Sequence, residues 1–267
     1  MKLVVKIGGQ AAEDRALRRK LARQIVRLAR RGHQVVVVHG GGNSLTQALA
    51  RLGIATQFHH GLRVTDAATR DVALMVLAGA LNKQWVADLE AQGQRALGIC
   101  GGDARLVAAR KLTIGVNGRR QDLGFVGRPQ RVDTRILRLA FQWGMVPVVA
   151  SLALGARGEY LNVNADDLAA ALAAALRADR LLYLTESGGV WDAERARLPV
   201  IERGEIPGLI RRGIVRDGMI PKLRSCARTL RCGVAEIDII ASTARQGLLR
   251  VVEDGARVGT KIVASGK

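Results

Sequence analysis

The amino-acid sequence predicts an α/β fold built on a parallel sheet with crossover helices. Strand-like and helix-like segments alternate along the first third of the chain, which is typical of that fold class. The runs "LVVKI" (3–7) and "VVVVH" (35–39) are apolar on both faces, as strands buried between two helical layers are. Glycines follow both runs directly, at the end of the strand where parallel α/β sheets bind their ligands.

The remaining elements follow from the same patterns. In the helix at 13–31, Leu17, Leu21 and Ile25 repeat every four residues, and arginines occupy the other faces. No repeat or long linker divides the chain, and we place a soft boundary near residue 178. The predicted strands are 3–7, 35–39, 95–99, 145–151, 180–186, 236–240 and 259–263, and the predicted helices are 13–31, 44–52, 67–91, 133–142, 165–177, 205–212, 218–231 and 243–250, with hairpins between 105 and 127.

The composition narrows the class of protein. The formal charge is +19, carried by 34 arginines and only 8 lysines. Aromatic residues are too few to stack on bases and no zinc-finger or RNA-recognition pattern occurs, so we expect no nucleic-acid partner. No apolar run approaches the roughly 18 residues of a membrane helix. No signal peptide precedes the first strand, and we therefore expect a cytoplasmic protein that does not bind membranes.

The cysteines and histidines do not predict a metal site. Three cysteines and four histidines are present, and their spacing matches no set of metal ligands. The odd number of cysteines is typical of a reducing compartment. We therefore expect no metal ion held by protein side chains.

The glycine clusters "KIGG" (6–9) and "HGGG" (39–42) predict an anion site or, equally, tight turns. The sequence contains no G-x-x-x-x-G-K-[ST], so the chain is not a P-loop enzyme. Leu45 stands where G-x-G-x-x-G needs its last glycine. "HGGG" also forms oxyanion holes in esterases, but no serine lies in the G-x-S-x-G elbow that those enzymes require. A hydrolase is thereby excluded.

Two lysines occupy electrostatically unfavourable positions. Lys6 lies within a buried strand, where an unpaired ammonium group is costly. Lys222, in "DGMIPK", opens a helix whose dipole opposes positive charge. An anion close to both would stabilise both. Arg63, in the loop "GLRVTD", is able to hold a carboxylate through two hydrogen bonds. In "YLNVNADD", Asn162 is either a turn residue or functional, and Asp166 is either a helix cap or functional.

Together these segments resemble the amino-acid kinase family, and within it the branch that phosphorylates N-acetyl-L-glutamate. The resemblance implies a three-layer αβα sandwich with a mostly parallel central sheet. It also implies an N-terminal lobe (1–177) for acetylglutamate binding and dimerisation, and a C-terminal lobe (178–267) for ATP. The matching stretches follow the family's order from end to end: "VVKIGG", "VVVVHGGGN", "GLRVTDAATRDVALMVLAGALNK", "LGFVG", "NVNADD", "LTESGGVWD", "DGMIPK" and "GTKI".

The same resemblance implies a reaction. The γ-phosphate of ATP would move to the side-chain carboxylate of N-acetyl-L-glutamate, with Mg²⁺ bound by the ATP phosphates. The product would be an acyl phosphate, made in the second step of arginine biosynthesis, and the enzyme would be a homodimer.

Site residues carry over from the resemblance by matching motif positions. Lys6 and Lys222 match the lysines that stabilise the transferring phosphoryl group, and Asp166 matches the aspartate that organises them. The remaining matches are Gly8 and Gly9 for the phosphate path, Gly41, Gly42, Arg63 and Asn162 for acetylglutamate, and Thr185, Glu186, Ser187, Gly188, Gly189, Val190, Ile214, Val215 and Arg216 for the nucleotide.

Some positions depart from the family's pattern and leave alternatives open. Gln10 stands where asparagine is expected, and "TESGGV" differs from the commoner T-D-V-P-G-V, which affects the adenine pocket. A kinase acting on α-aminoadipate, attached to an acidic carrier protein or N-acetylated, is the nearest alternative, and a non-catalytic basic binding protein is a more distant one. Arginine-inhibited relatives carry an additional N-terminal helix. This sequence starts at the first strand, and we therefore expect a dimer that arginine does not inhibit.

Overall fold

The computed structural model describes residues 1–59, 61–116, 119–215 and 219–264. Its strands, in chain order, are β1 (Lys2–Ile7), β2 (Gln34–His39), β3 (Phe58–His59), β4 (Leu62–Arg63), β5 (Ala96–Cys100), β6 (Val107–Val116), β7 (Arg119–Val132), β8 (Val146–Ala150), β9 (Leu152–Leu154), β10 (Tyr160–Val163), β11 (Arg180–Thr185), β12 (Val200–Glu202), β13 (Glu236–Ala241) and β14 (Thr260–Val263). Its α-helices are α1 (Gln10–Glu13), α2 (Arg15–Arg30), α3 (Gly42–Arg51), α4 (Ala67–Ala73), α5 (Asn82–Glu90), α6 (Arg135–Gln142), α7 (Ala165–Leu176), α8 (Ile206–Arg211), α9 (Met219–Arg231) and α10 (Gly247–Val252).

The central sheet contains eight strands in the order β12-β14-β13-β11-β1-β2-β8-β5. Every neighbouring pair from β13 to β5 is parallel. Only β12 and β14 run in the opposite direction, since β14 pairs antiparallel with β13 and parallel with β12. The predicted mostly parallel sheet is therefore confirmed.

Helices cover both faces of this sheet, because the side chains of its strands alternate between two cores. Leu3, Val5 and Ile7 of β1 pack with the buried residues of α2, α5 and α10. Val4 points the other way and packs with α7 and α9. This arrangement is the predicted three-layer αβα sandwich. It also determines the direction of Lys6, which lies two residues after Val4 and faces the α7 side.

Four further strands, β10-β7-β6-β9, close into a small ring at the carboxyl edge of the central sheet. Gly101, just after β5, donates its amide to Leu152, and Val163 at the end of β10 donates to Ser151, just after β8. The ring therefore holds β10 and the start of α7 directly above the ends of the central strands.

Most predicted elements are present, and the differences have local causes. Helix α2 begins at Arg15 rather than at 13, because the Asp14 side chain caps it by accepting a hydrogen bond from Leu17 N at 2.7 Å. The helical stretch predicted at 67–91 is continuous, but its middle, Leu74–Leu81, is a π-helix. The hairpins predicted between 105 and 127 are the long pair β6 and β7. The β3–β4 hairpin and the edge strand β12 were not predicted.

The proposed division at residue 178 does not interrupt the sheet. Strand β1 of the first segment pairs with β11 of the second along its whole length, from Leu3 opposite Arg180 to Ile7 opposite Leu184. The two lobes therefore remain a functional proposal. Among the described residues, no helix is both long and apolar enough to cross a membrane.

Candidate active site

Lys6 extends from β1 toward the first turn of α7. Its neighbours on the adjacent strands are Val38 and Tyr183. Its Nζ atom lies 2.7 Å from Asp166 Oδ1, and only 12% of its side chain is exposed. The ammonium group in the buried strand is thus paired with a carboxylate.

Asp166 is held in place by the start of α7. Asn164 caps this helix, because its Oδ1 accepts hydrogen bonds from Asp166 N at 2.8 Å and from Asp167 N at 3.3 Å. The first turn of a helix also favours negative charge. The sequence therefore gives Asn164 the role of cap, and this leaves the Asp166 side chain free to reach the lysines.

Lys222 approaches the same carboxylate from the first turn of α9. Its Nζ lies 2.5 Å from Asp166 Oδ2 and 4.8 Å from the centre of the Tyr183 ring. Tyr183 is fully buried beneath the pair, and its hydroxyl donates to the Asp166 carbonyl at 3.4 Å. The three residues predicted to be catalytic, Lys6, Lys222 and Asp166, therefore form one cluster.

The cluster has more positive than negative charge. Burial alone would raise the pKa of Asp166, but the ammonium groups of Lys6 and Lys222 outweigh it and hold this pKa at about 2. The carboxylate is therefore ionised at neutral pH. Two ammonium groups share one carboxylate, so the cluster retains one positive charge that an incoming anion would neutralise.

A cavity of about 260 Å³ opens beside the cluster. Its wall contains the glycines of both predicted loops, together with Arg63 and Asn162. A Cβ at Gly8 would lie 2.2 Å from Lys6 Nζ, so glycine at this position leaves room for the ammonium group beside Asp166. Glycine is also favoured at Gly9, where φ is +57° and a Cβ would lie 2.6 Å from Glu186 Oε1. The predicted phosphate and acetylglutamate residues thus lie around one space.

Arg63 is fixed by neutral partners. Its guanidinium donates to Thr46 Oγ1 at 2.7 Å, to the Gly42 carbonyl at 3.0 Å and to Thr56 Oγ1 at 3.2 Å. It also stacks on the Phe58 ring at 4.7 Å. Within the described ranges, no Asp or Glu side chain forms an ion pair with it. A buried, oriented arginine of this kind is suited to bind a carboxylate.

Asn162, on β10, also lines the cavity. Its Nδ2 donates to Thr65 Oγ1 at 3.3 Å, which leaves its carbonyl oxygen for a donor on a ligand. Sequence reasoning did not identify Thr46, Thr56 or Phe58. They could not be inferred from spacing alone, because the β3–β4 hairpin that brings Phe58 to Arg63 was itself not predicted.

The residues predicted for the nucleotide lie one strand away. Thr185 to Val190 form a tight turn at the end of β11, in which Gly188 N donates to Thr185 Oγ1 at 3.0 Å and Val190 N donates to Thr260 Oγ1 at 2.8 Å. Glu186 Oε1 accepts a hydrogen bond from Gln10 N at 3.3 Å, so this turn touches the loop that follows β1.

Ile214 and Val215, from the second segment predicted to bind the nucleotide, do not line the cavity beside Lys6. Val215 is buried in the same apolar core as Val190, and Ile214 packs against that core. Neither segment lines the cavity described above. Arg216, also predicted to contact the nucleotide, lies outside the described residues.

The acidic, histidine and cysteine side chains of the described residues are the groups that would supply metal ligands or reactive thiols. In the described part of the chain, no group of three or more His, Cys, Asp or Glu side chains could hold a metal ion. Burial raises the pKa of the Cys100 and Cys226 thiols to about 11 and about 12, so both are protonated at neutral pH. Cys232, directly after α9, is exposed.

Comparison with known proteins identifies the family of this chain. The sequence profile of the Amino acid kinase family matches residues 1–241. The chain belongs to the amino acid kinase family. Among the most similar members are the acetylglutamate kinases of Koribacter versatilis and Acidobacterium capsulatum, which are 47% and 44% identical to this chain. Each alignment covers 99% of this chain and 100% of the relative.

Solved structures agree with the assignment to this family. The N-acetylglutamate synthase of Neisseria gonorrhoeae, in complex with coenzyme A and N-acetyl-glutamate, superposes with a TM-score of 0.87 at 25% identity. The match covers 100% of this chain and 60% of the synthase chain. The carbamate kinase of Giardia lamblia bound to AMP-PNP has a TM-score of 0.70 at 15% identity, over 99% and 98% of the two chains, which shows a shared fold.

Proposed function

We propose that this amino acid kinase transfers the γ-phosphate of ATP to the side-chain carboxylate of N-acetyl-L-glutamate. A carboxylate oxygen of the acceptor attacks the γ-phosphorus, the bond from that phosphorus to the β–γ bridging oxygen breaks, and ADP leaves. The product is N-acetyl-L-glutamyl 5-phosphate, formed in the second step of arginine biosynthesis. Full-length relatives at 47% and 44% identity that are acetylglutamate kinases support this substrate.

The observation that carries the proposal is the pairing of Lys6 and Lys222 with the two oxygens of Asp166. A carboxylate acceptor, with a reference pKa of about 4.3, is already ionised at neutral pH and needs no general base. The obstacle is repulsion between an anionic nucleophile and an anionic phosphate. Fixed cations and backbone donors lower that barrier. The two lysines come from different elements, β1 and α9, and so can stabilise the transferring group from two directions.

The other site residues have proposed roles that follow from their places. Arg63 and Asn162, which both line the cavity, hold acetylglutamate, and Gly41 and Gly42 contact it through the backbone. Gly8 and Gly9 allow the phosphates to approach Lys6 closely. Asp166 keeps both lysines oriented before the substrates arrive.

The nucleotide has a proposed position beside the end of β11. We assign the turn from Thr185 to Val190 and the segment Ile214, Val215 and Arg216 to ATP binding, which makes the segment after residue 178 the ATP lobe. Residues 1–177 then form the acetylglutamate lobe. Since no cluster of metal-binding side chains is present among the described residues, Mg²⁺ would be bound by the ATP phosphates, whose charge it would partly neutralise.

We also propose that the enzyme is a cytoplasmic homodimer. Strand β5 lies at one end of the central sheet, and a free sheet edge is usually covered. Trp143 is 63% exposed, and its carbonyl accepts a hydrogen bond from Arg95, the residue before β5. An exposed aromatic side chain beside a sheet edge favours contact with a second copy. Light scattering on the purified chain measures the mass directly, and a monomeric mass would refute the dimer.

The proposed reaction is tested by trapping its product. We expect the purified chain, given ATP, Mg²⁺, N-acetyl-L-glutamate and hydroxylamine, to form the hydroxamate of the acyl phosphate together with one ADP. N-acetyl-L-aspartate, which is one methylene shorter, serves as the matched control and should react far more slowly. ATP turnover with carrier-bound α-aminoadipate but not with free acetylglutamate would replace this proposal by the alternative substrate. No turnover on either acceptor would refute both proposed substrates.

A further inference from the structure

Two fully buried polar side chains, His39 and Asn82, lie behind the glycine loop of the cavity. His39 is the last residue of β2, and Asn82 is the first residue of α5. His39 Nδ1 lies 2.8 Å from the carbonyl oxygen of Gly40, and His39 Nε2 lies 3.1 Å from Asn82 Nδ2. The described mechanism uses neither residue, yet buried polar groups are retained only when they are hydrogen-bonded.

The hydrogen bonds determine which nitrogen of His39 carries the proton. Asn82 Nδ2 also faces the carbonyl oxygens of Val148 at 2.9 Å and Ile99 at 3.3 Å, so this atom is the donating amide nitrogen. An amide nitrogen accepts no hydrogen bond, so a proton on His39 Nε2 would face Asn82 Nδ2 without a partner, and Nε2 is the unprotonated nitrogen. The proton of the neutral ring therefore resides on Nδ1, which donates to the Gly40 carbonyl.

The ring stays neutral during the reaction. Burial lowers the pKa of His39 to about 4, although its hydrogen bond to Gly40 acts in the opposite direction. At neutral pH the imidazole is thus a single fixed donor to Gly40, not a cation. It adds no charge to the cavity beyond that of the lysines and Arg63.

Holding the Gly40 carbonyl orients the next peptide group. In a trans peptide, the C=O of one residue and the N–H of the next point in opposite directions. The Gly40 carbonyl accepts from the buried ring, so the Gly41 N–H points away from that ring. Gly41 itself lines the cavity. None of the described residues accepts a hydrogen bond from this amide. A second hydrogen bond also fixes Gly40, because its own N–H donates to the Ile7 carbonyl oxygen at 3.4 Å.

The π-helix explains how Asn82 reaches His39. Thr69 and Ala73 of α4 are buried. If the helix continued from them with 3.6 residues per turn, Ala80 and Lys83 would face the core. The wider turns of Leu74–Leu81 shift the buried stripe, so that Asn82 is buried instead and Lys83 remains outside. Leu77 and Leu81 of the π-helix also pack closely on Gly41, where a Cβ would lie within 2.7 Å of both.

We propose that His39 and Asn82 are positioning residues that hold the Gly40 carbonyl so that the Gly41 amide donates a hydrogen bond to the bound amino-acid substrate. This inference rests on the proposed function, in which acetylglutamate occupies the cavity. Asn82 keeps the His39 ring protonated at Nδ1, and the Nδ1–H holds the peptide group between Gly40 and Gly41. The orientation of that peptide group directs the Gly41 N–H. Neither side chain touches the substrate itself.

Two substitutions of His39 separate this role from a merely structural one. His39→Asn places an amide nitrogen where Nδ1 was and keeps a donor for Gly40. His39→Gln reaches the position of Nε2, so it keeps a partner for Asn82 but loses the donor to Gly40. We expect His39→Gln to raise KM for N-acetyl-L-glutamate about tenfold, the effect of one lost hydrogen bond, with KM for ATP unchanged. His39→Asn should stay within about threefold of the natural enzyme.

A general loss of stability is excluded by a control in the same core. Leu89→Ala, in α5 and fully buried, should lower the melting temperature at least as much as either His39 variant and leave both KM values unchanged. If the two His39 variants raise KM equally, or if Leu89→Ala reproduces their effect, the positioning role is refuted.

A spectroscopic test does not depend on turnover. Only four histidines are present, so ¹⁵N NMR of the imidazole rings can resolve His39. We expect a neutral ring protonated at Nδ1 throughout pH 6 to 8. A ring protonated at Nε2, or one that titrates in this range, would overturn the inference even in an active enzyme. If the Nδ1 tautomer is found but acetylglutamate is not phosphorylated, the proposed function fails and the hydrogen-bond network stands. In that case the positioning role, which needs the substrate in this cavity, is refuted.

Discussion

Two aspartates on opposite faces of the central sheet are each held between cations, and they differ in their charge balance. Asp166 is paired with Lys6 and Lys222 and retains 22% side-chain exposure. Asp238, on β13, lies 3.4 Å from Arg180 and is 5% exposed. Arg180 also pairs with Glu236 at 2.8 Å, and Lys261 pairs with Glu236 at 3.0 Å.

The second cluster is neutral, because two basic and two acidic side chains balance. Burial raises the pKa of Asp238 to about 6, since Arg180 and Lys261 only partly offset it. The pKa of Asp166 moves the other way, to about 2, and that cluster keeps a positive charge in excess. Ion pairs therefore do not by themselves mark a functional site. An excess of one sign beside a cavity favours a ligand of the opposite charge, which is why we propose a function for the first cluster and not for the second.

The largest expected difference between the two clusters is in how much the loss of a lysine lowers kcat. Lys6→Ala and Lys222→Ala should each lower kcat by about 10²- to 10³-fold, because each removes a cation from the transferring phosphoryl group. Lys261→Ala is the matched control, since it removes an equally ion-paired lysine from the neutral cluster, and kcat should change less than threefold. Steady-state kinetics with ATP and N-acetyl-L-glutamate measure both. Equal losses at Lys6 and Lys261 would contradict the comparison.

A smaller effect is expected for the arginine that lacks an acidic partner. Arg63→Lys keeps the charge but loses the planar group that contacts Thr46, Thr56 and Gly42, and it should raise KM for N-acetyl-L-glutamate at least tenfold. KM for ATP should not change. Arg70→Lys is the control, because Arg70 also stacks on a phenylalanine, Phe125, but pairs with Asp71. If both variants raise KM alike, the binding role of Arg63 is wrong.

A third effect concerns the free energy of unfolding and its pH dependence, and catalysis is not involved. A folded-state pKa of about 6, above the usual 3.8, means that Asp238 stabilises the fold below pH 3.8 and that this contribution is lost as the pH rises through 6. Relative to Asp238→Asn, the natural chain should therefore lose about 2 to 3 kcal/mol of unfolding free energy between pH 4 and pH 7. Denaturant unfolding at several pH values measures this. A difference independent of pH would show that Asp238 is not perturbed.

The pKa of Asp166 is shifted in the opposite direction, so its contribution to stability depends on pH in the opposite way. Because its pKa is held at about 2, its contribution to stability is present above pH 3.8 and is lost only as the pH falls toward 2. The natural chain and Asp166→Asn should thus show a constant difference between pH 5 and pH 8.

The sequence predicts the functional cluster better than the neutral one. Lys6 is conspicuous because it interrupts an apolar strand, and glycines beside it indicate a ligand. Nothing comparable marks Arg180 or Asp238, since they are 58 residues apart and meet only through the pairing of β11 with β13. Resemblance to the family assigned Asp166 its role, whereas sequence reasoning alone left it as a helix cap or a functional residue.

The sequence pattern did not predict that part of this helix has π-helical turns. Residues 67–91 are helical as predicted, but apolar periodicity does not distinguish α from π turns in a stretch as uniformly apolar as "LMVLAGAL". The hydrogen bond between His39 and Asn82 was missed for that reason, because it depends on the π-helix and joins residues 43 positions apart.

The unequal burial of the three cysteines offers a route to labelling. Cys100 and Cys226 are buried and protonated, so a maleimide dye should react only at Cys232. This thiol follows the last turn of α9, about 15 Å along the helix axis from Lys222. A fluorophore attached there without any mutation would test whether that helix moves when a nucleotide is added.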